Sequence, residues 1–89
     1  MSNYCGFAYT QQALDYLRII PKKIRRQIVN KIKQLAFDPH PPNSKLIQGM
    51  TDGEERVYRI RSGDYRILYV VRHDIVAVLD IDNRKDVYR

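Results

Sequence analysis

Residues 56–71 decide the fold of this chain, and they read RVYRIRSGDYRILYVV. Two runs of β-branched and aromatic residues flank a short Ser-Gly-Asp break, which predicts a β-hairpin. Because successive side chains of a strand point to opposite faces, Val57, Arg59 and Arg61 share one face of the first strand, and Arg66 lies on one face of the second. The opposite face of the second strand consists of Tyr65, Ile67, Tyr69 and Val71. The hairpin therefore has one face suited to a core and one face that carries arginines.

The stretch before the hairpin predicts one strand and two helices. Residues 3–9 are rich in aromatic side chains and predict a first strand. The hydroxyl group of Thr10 is suited to cap a helix that begins at Gln11 and ends near Ile20. From residue 22 to about residue 37, apolar side chains recur at three- and four-residue spacing, which is the strongest helical signal in the chain. The short break between these helices predicts a helical hairpin.

The remainder of the chain completes an α+β domain. Residues 38–56 are punctuated by prolines and glycines and predict a loop. A final strand is predicted over residues 75–81. Its helix-facing side chains are expected to be Ile75, Ala77, Leu79 and Ile81. We expect a single domain over residues 1–89: an N-terminal strand, a helical hairpin, and then a three-stranded antiparallel meander.

Composition narrows the classes of function. The net charge of +6 and the pI near 9.7 favour an anionic partner, which is nucleic acid, an acidic protein or an anionic membrane surface. Cys5 is the only cysteine, which excludes an intrachain disulfide and a cysteine-rich zinc site. We see no signal peptide and no apolar stretch of the roughly 20 residues that a bilayer requires, so we expect a cytoplasmic protein without membrane association. We expect no cofactor and no metal, because neither a Gly-rich phosphate loop nor a ligand cluster is present.

The arginines of the hairpin carry the chemical signal. Guanidinium groups bind phosphate in a bidentate manner and remain charged, so arginines alternating across two paired strands are suited to hold a phosphodiester. They could also stabilise the additional charge of the transition state in RNA cleavage by the RNA's own 2′-hydroxyl group, which needs no metal. The structural alternative is that these arginines pair with carboxylates. The candidates for such pairing are Asp52, Glu54, Glu55, Asp80 and Asp82.

The second helix carries a further basic surface. Its cations are Lys22, Lys23, Arg25, Arg26, Lys31 and Lys33. This surface is either an ordinary solvated helix face or a contact for a phosphate backbone.

The run YRIRSGDYRILY over residues 58–69 resembles the hairpin motif of the RelE/ParE superfamily of toxins from bacterial toxin–antitoxin pairs, and NRKDVYR over residues 83–89 resembles its terminal motif. For RelE-like members, the resemblance implies metal-independent cleavage of translated mRNA in the A site of the 30S ribosomal subunit, which inhibits translation. It also implies a RelB-like antitoxin that neutralises the toxin, and a toxin–antitoxin complex that binds operator DNA through the antitoxin. Two alternatives stay open: a ParE-like toxin that inhibits DNA gyrase without nuclease activity, and an RNA-binding module without catalysis.

The resemblance also assigns roles to individual residues. Its catalytic set maps onto Arg59, Arg66, Arg84 and Tyr88, and we expect Lys45, Arg61 and Lys85 to contact RNA phosphates. Arg66 matches the strand arginine that stabilises the scissile phosphate. Arg59 stands at one of two catalytic lysine positions, and Val57 stands at the other. Because arginine has a pKa above about 12, it is a poor general base, and the base is left open between Tyr88, Lys85 and a neighbouring basic residue.

Overall fold

The computed structural model describes residues 6–83 and confirms the α+β class. The elements are β1 Gly6–Tyr9, α1 Gln11–Ile19, α2 Lys22–Phe37, β2 Lys45–Asp52, β3 Glu55–Ser62, β4 Tyr65–Arg72 and β5 Ile75–Asn83. The strands form one five-stranded sheet in the order β1-β5-β4-β3-β2. β1 runs parallel to β5, and the remaining neighbours are antiparallel. The predicted strand, helical hairpin and antiparallel meander are all present.

The helices begin where the sequence predicts. The hydroxyl oxygen of Thr10 accepts a hydrogen bond from the backbone N–H of Ala13 at 3.1 Å, which satisfies one orphan donor of the first turn of α1. The same hydroxyl group donates to the carbonyl oxygen of Leu79 at 2.6 Å. This single side chain therefore ties the start of α1 to β5.

The core lies between the two helices and one face of the sheet. It is built by apolar residues of α1 and α2 that contact side chains of β3, β4 and β5. Its sheet residues are Ile60, Ile67, Tyr69, Val76, Val78 and Ile81. Tyr69 is fully buried, and its hydroxyl group donates to the carbonyl oxygen of Pro39 at 2.6 Å. The core therefore also holds the segment that leads from α2 to β2.

The prediction of a loop over residues 38–56 is wrong for residues 45–52, which form β2, and for residues 55 and 56, which begin β3. This strand lies at the edge of the sheet and most of its side chains are exposed, so its sequence lacks the alternation that marks a half-buried strand. Its pairing with β3 is also irregular, because the register shifts between Leu46 and Thr51. Gly49 lies inside this irregular part with a φ of 79°, a conformation that glycine adopts readily. The meander therefore has four strands.

The predicted face assignment of β5 is wrong at its first half. The prediction assumes strict alternation along β5, so that Ile75, Ala77 and Leu79 face the helices together with Ile81. In the structure Ile81 does so, but Val76 and Val78 are the residues of the first half that are buried in the core. The cause is a register shift: Leu68 pairs with Asp80, but Tyr69 pairs with Val78. Leu79 is the additional residue of this β-bulge, and it reverses the side-chain alternation of β5.

Candidate functional site

The hairpin places its arginines on the sheet face that points away from the helices. Ile60 of β3 and Ile67 of β4 belong to the core that packs on the helices. Because side chains alternate along a strand, Arg59 and Arg61 of β3 and Arg66 of β4 point to the other face. The structure thus brings these three predicted site residues together.

Lys45 of β2 joins the same surface. In the registers of the sheet, Lys45 lies opposite Arg59, and Arg61 lies opposite Arg66. We call these four residues the arginine face. Like charges directly opposite each other on paired strands destabilise a sheet. The arrangement is therefore unfavourable alone and becomes favourable when an anion lies between the cations.

A cleft of about 340 Å³ opens beside β2 and β3 on this surface, and it is lined by Asn43, Lys45, Arg59 and Arg61. None of these four lining residues is acidic. Three cationic side chains and one amide group supply N–H donors, and guanidinium groups match the oxygen spacing of a phosphate. The cleft is therefore suited to a phosphate group of a polyanion.

Arg66 has a carboxylate partner. Its Nε donates to Oδ1 of Asp82 at 2.9 Å, and the two side chains are 25% and 33% exposed. Asp82 lies opposite Arg66 in the ladder of β4 and β5. The pairing of arginines with carboxylates, which the sequence leaves open as an alternative, thus applies to Arg66.

Two of the other candidate carboxylates, Asp52 and Glu55, pair with an arginine outside this face. Arg72 contacts Oδ2 of Asp52 through Nη2 at 3.2 Å and Oε1 of Glu55 through Nε at 3.6 Å. Arg72 is the last residue of β4 and lies outside the arginine face. Asp82 lies within ion-pair distance of Arg66, whereas Lys45, Arg59 and Arg61 add three further cations to this face. The arginine face consequently keeps an excess of positive charge.

The general base is not identified by the described residues. Val57 shares the sheet face of Arg59 and is 1% exposed, so its position supplies packing and no ionisable group. Arg84, Lys85 and Tyr88, the predicted site residues of the terminal motif, lie outside the described residues.

The two histidines lie at positions that shape the fold. The ring of His40 packs against that of Tyr58 with a centroid distance of 4.6 Å, and Tyr58 stacks on the buried ring of Tyr69 at 6.0 Å. His73 occupies a two-residue turn between β4 and β5 with a φ of 56°. Neither histidine belongs to the arginine face.

The basic surface of α2 contains one residue with a different role. Arg25 donates from Nε to the carbonyl oxygen of Leu17 at 2.6 Å and from Nη2 to the carbonyl oxygens of Arg18 and Ile20. These carbonyl groups lie at the carboxyl end of α1, where no further helical turn satisfies them. Sequence reasoning assigned Arg25 to the exposed basic surface, and no residue pattern signalled the cap.

An acidic groove lies between α1 and the last residues of β5. It has a volume of about 640 Å³ and is lined by Gln12, Asp15, Tyr16, Ile19, Asp80, Ile81 and Asp82. Burial raises the pKa of Asp80, and the neighbouring charge of Asp82 raises it further, whereas the N–H of Ile81 donates to its carboxylate and opposes the shift. Asp82 thus stands between this groove and the arginine face.

The described residues give two findings on metal binding and membrane insertion. Among residues 6–83, no group of three or more His, Cys, Asp and Glu side chains is arranged to hold a metal ion. Neither helix of the described part has the length and apolar character needed to cross a membrane.

Comparison with known proteins places this geometry in a family. The model of the ParE toxin family, from type II toxin–antitoxin systems of the parDE kind, matches residues 7–88. The chain belongs to this toxin family. A RelE-like toxin protein of Escherichia coli is 30% identical to this toxin over 84 residues, which cover 90% of the chain and 85% of the relative. The protein is therefore a RelE/ParE superfamily toxin of a type II toxin–antitoxin system.

Solved structures agree with this assignment. The archaeal RelE–RelB complex of Pyrococcus horikoshii contains a chain that is 25% identical to the toxin, with a TM-score of 0.77 and coverage of 93% and 97% of the two chains. The RelBE2 complex of Mycobacterium tuberculosis contains a similar chain at 25% identity, with a TM-score of 0.75 and coverage of 91% and 99%. The intact RelBE complex of Escherichia coli, at 23% identity and a TM-score of 0.70 with coverage of 89% and 95%, shares the fold.

Proposed function

We propose that this toxin is a metal-independent endoribonuclease that cleaves translated mRNA in the ribosomal A site and thereby inhibits translation. The observation that carries the proposal is the arginine face, where Arg61 lies opposite Arg66 and Lys45 lies opposite Arg59. A surface of this kind is stabilised by a phosphodiester backbone that lies across it.

The chemistry follows from the substrate. The 2′-oxygen attacks the adjacent phosphorus, a base removes the 2′-hydroxyl proton, and the 5′-oxygen leaves with a proton from an acid. The products are a 2′,3′-cyclic phosphate and a 5′-hydroxyl end. Charge on the phosphoryl oxygens increases in the transition state, so a fixed guanidinium group such as Arg66 stabilises that state more than the ground state. Arg59 contributes charge, and Arg84 and Tyr88 complete the proposed catalytic set.

The residues around this set bind and orient the RNA. Lys45 and Arg61 hold phosphates in the cleft, and Lys85 is proposed to contact a further RNA phosphate. The 2′-oxygen, phosphorus and 5′-oxygen must lie in line, so several fixed phosphate contacts accelerate the reaction by orientation. The general base is Tyr88, Lys85 or a neighbouring basic residue, because an arginine side chain is a poor proton acceptor.

The proposed protein partner is a RelB-like antitoxin, since relatives of this toxin were crystallised as complexes with RelB. An acidic antitoxin segment that covers the arginine face would exclude RNA from it. The complex would bind operator DNA through the antitoxin. The ribosome and its mRNA are the cytoplasmic targets.

Induction of the toxin in cells, followed by mapping of mRNA 5′ ends by primer extension, tests the proposed function. We expect new 5′ ends phased with codons in translated messages and an early fall in protein synthesis. Arg66→Ala should abolish growth inhibition and preserve antitoxin binding, because the other cations of the arginine face remain for the antitoxin to contact. Arg84→Ala and Tyr88→Phe should weaken toxicity. Arg18→Ala, an exposed arginine on α1, is the matched control and should remain toxic.

Gyrase inhibition is the second candidate, because the matching family model is that of the ParE toxin. The buried Val57 also leaves one expected lysine position without a basic group. Intact mRNA, an SOS response and blocked replication after induction would establish this candidate and refute the nuclease. A fully toxic Arg66→Ala variant would refute the assignment of the site.

A further inference from the structure

We propose that Asp82 is the positioning residue for Arg66. It holds the guanidinium group through Nε and keeps the two Nη groups available to an RNA phosphate. This inference rests on the proposed nuclease function and adds to it a residue outside the catalytic set. The first observation is the 2.9 Å contact between Arg66 Nε and Asp82 Oδ1. The second is that Arg61, Arg66 and Asp82 lie side by side on three neighbouring strands.

The row crosses three neighbouring strands. Arg61 of β3 lies opposite Arg66 of β4, which lies opposite Asp82 of β5. Arg61 repels Arg66 from one side, and Asp82 attracts it from the other. Both members of the Arg66–Asp82 pair are partly buried, so solvent screens their attraction less than that of a fully exposed pair. Asp82 therefore determines where the Arg66 side chain rests.

The bulge in β5 is what brings Asp82 to this face. Val76 and Val78 point into the core, so an uninterrupted strand would also direct residue 82 into the core. The additional residue Leu79 reverses the alternation, so Ile81 points inward and Asp82 points toward Arg66. Bulges next to functional sites are known to redirect side chains in this way.

The contact leaves Arg66 able to bind a ligand. A guanidinium group has five N–H donors, and the described contact of Arg66 uses the single Nε–H. Arg25 provides the contrast within the same chain, because its Nε and Nη2 bond to three backbone carbonyl oxygens and fix α1. Arg66 is thus held on one edge, and a phosphate can bind the Nη edge in a bidentate manner.

Positioning and simple electrostatics predict opposite results for the loss of Asp82. If the carboxylate merely shields Arg66, its removal makes the surface more positive, so RNA should bind more tightly and be cleaved faster. If Asp82 positions Arg66, its removal lowers the rate of the chemical step, although net charge rises.

The experiment compares Asp82→Ala and Asp82→Asn with Asp15→Ala, which removes an exposed carboxylate of the same charge. Cleavage on programmed ribosomes gives kcat and KM, and titration with a 2′-O-methyl RNA oligonucleotide gives affinity without cleavage. The ¹⁵Nε–¹Hε NMR signal of Arg66 reports the contact itself. Thermal unfolding identifies any variant that fails to fold, and the isosteric Asp82→Asn then serves as the test.

We expect Asp82→Ala to lower kcat by about 10–100-fold, as for other residues that orient a functional group, with a smaller change in KM. Asp82→Asn should be intermediate, and Asp15→Ala should match the parent toxin. In an Arg66→Ala background, Asp82→Ala should cause no further loss, because the residue acts only through Arg66. The Arg66 Nε–H signal should move in Asp82→Ala and not in Asp15→Ala, and the Asp82→Ala toxin should bind the oligonucleotide no more tightly than the parent.

The inference would be overturned if Asp82→Ala left kcat unchanged, or if this variant bound RNA more tightly and cleaved it faster than the parent. It would also be overturned if Asp82→Ala lowered kcat by the same factor in the Arg66→Ala background as in the parent. A parent toxin that cleaves no RNA would instead refute the proposed function. In that case the role of Asp82 is decided by NMR and by titration with inorganic phosphate. An Arg66 signal that responds neither to Asp82→Ala nor to phosphate would overturn it.

Discussion

Arg25 of α2 donates from Nε to the carbonyl oxygen of Leu17 in α1 at 2.6 Å, and its Nη2 reaches two further carbonyl groups at the end of that helix. We expect Arg25→Ala to lower the free energy of unfolding by about 2–3 kcal/mol, because a charged donor is lost and the part-buried carbonyl oxygens of Leu17 and Ile20 lose their partner. Urea denaturation measures the change. Arg26→Ala, on the exposed face of the same helix, should stay within roughly 0.5 kcal/mol of the parent. Equal effects of the two substitutions would refute the capping role.

The hydroxyl group of Tyr69 fastens the segment after α2. Tyr69→Phe should destabilise the toxin by about 1–3 kcal/mol, because the Pro39 carbonyl oxygen loses its donor in a partly buried place. Amide hydrogen exchange should then accelerate in residues 38–44, whereas exchange in α1 should change little. Tyr69→Leu should cost more, since it also removes the ring that stacks on Tyr58. Unaltered exchange in residues 38–44 would show that other contacts hold this segment.

The carboxyl group of Asp80 makes stability depend on pH. Burial raises its pKa above the ordinary value of 3.8, so the folded state holds this proton more tightly than the unfolded state. The stability contributed by that proton is present below pH 3.8 and is lost as the pH rises through the folded pKa. We therefore expect Asp80→Asn to match the parent in acid and to melt at a higher temperature at pH 7, since the asparagine oxygen can still accept from Ile81.

Melting curves between pH 3 and pH 8 test the Asp80 prediction, with the exposed Asp15→Asn as the control. A stability advantage of Asp80→Asn that is the same at every pH would contradict the proton linkage. A stability advantage of Asp80→Asn that is largest at low pH would contradict it as well.

The turn between β4 and β5 holds a histidine in a conformation that favours glycine. The first residues of the three turns of the meander are Gly53, Gly63 and His73, with φ values of 62°, 60° and 56°. His73→Gly should raise the free energy of unfolding by roughly 0.5–1 kcal/mol. Glycine adopts the left-handed conformation without strain, and this gain is larger than the loss that comes from the greater conformational entropy of glycine in the unfolded chain.

Gly63→Ala is the reciprocal test of turn strain. An added Cβ there meets no heavy atom within 4 Å, so any loss of stability comes from backbone conformation alone. We expect a loss of about 1–2 kcal/mol in chemical denaturation. A higher free energy of unfolding for His73→Gly together with a lower one for Gly63→Ala would support the strain argument. A Gly63→Ala variant that is more stable than the parent would refute it.

The sequence predicted the parts of the fold that local chemistry determines. Thr10, the apolar period of α2 and the Ser-Gly-Asp turn define their elements through short-range contacts, and alternation alone places Arg59 and Arg61 on the face opposite Ile60. The edge strand β2 was missed, because its pairing comes from β3 and its exposed side chains leave no alternating pattern.

The features of the site that were missed all arise from tertiary structure. The bulge at Leu79 depends on how β5 pairs with β4, and no residue of β5 marks it. The cap formed by Arg25 depends on the angle between two helices. The contact between Arg66 and Asp82 spans 16 positions, and the sequence offered it only as one of several possible carboxylate pairs.

The parallel pairing of Gly6–Tyr9 with Ile75–Val78 constrains the time at which the toxin can become active. The ribosome makes β1 first and β5 last among the strands, yet β5 lies between β1 and β4 in the sheet. Until β5 has been synthesised, β1 has no neighbouring strand and Asp82 is absent. The core also lacks its β5 residues, Val76, Val78 and Ile81. Contacts of such long sequence separation form late in folding. A nascent toxin chain therefore cannot complete its sheet or form the contact between Arg66 and Asp82 before β5 has been synthesised.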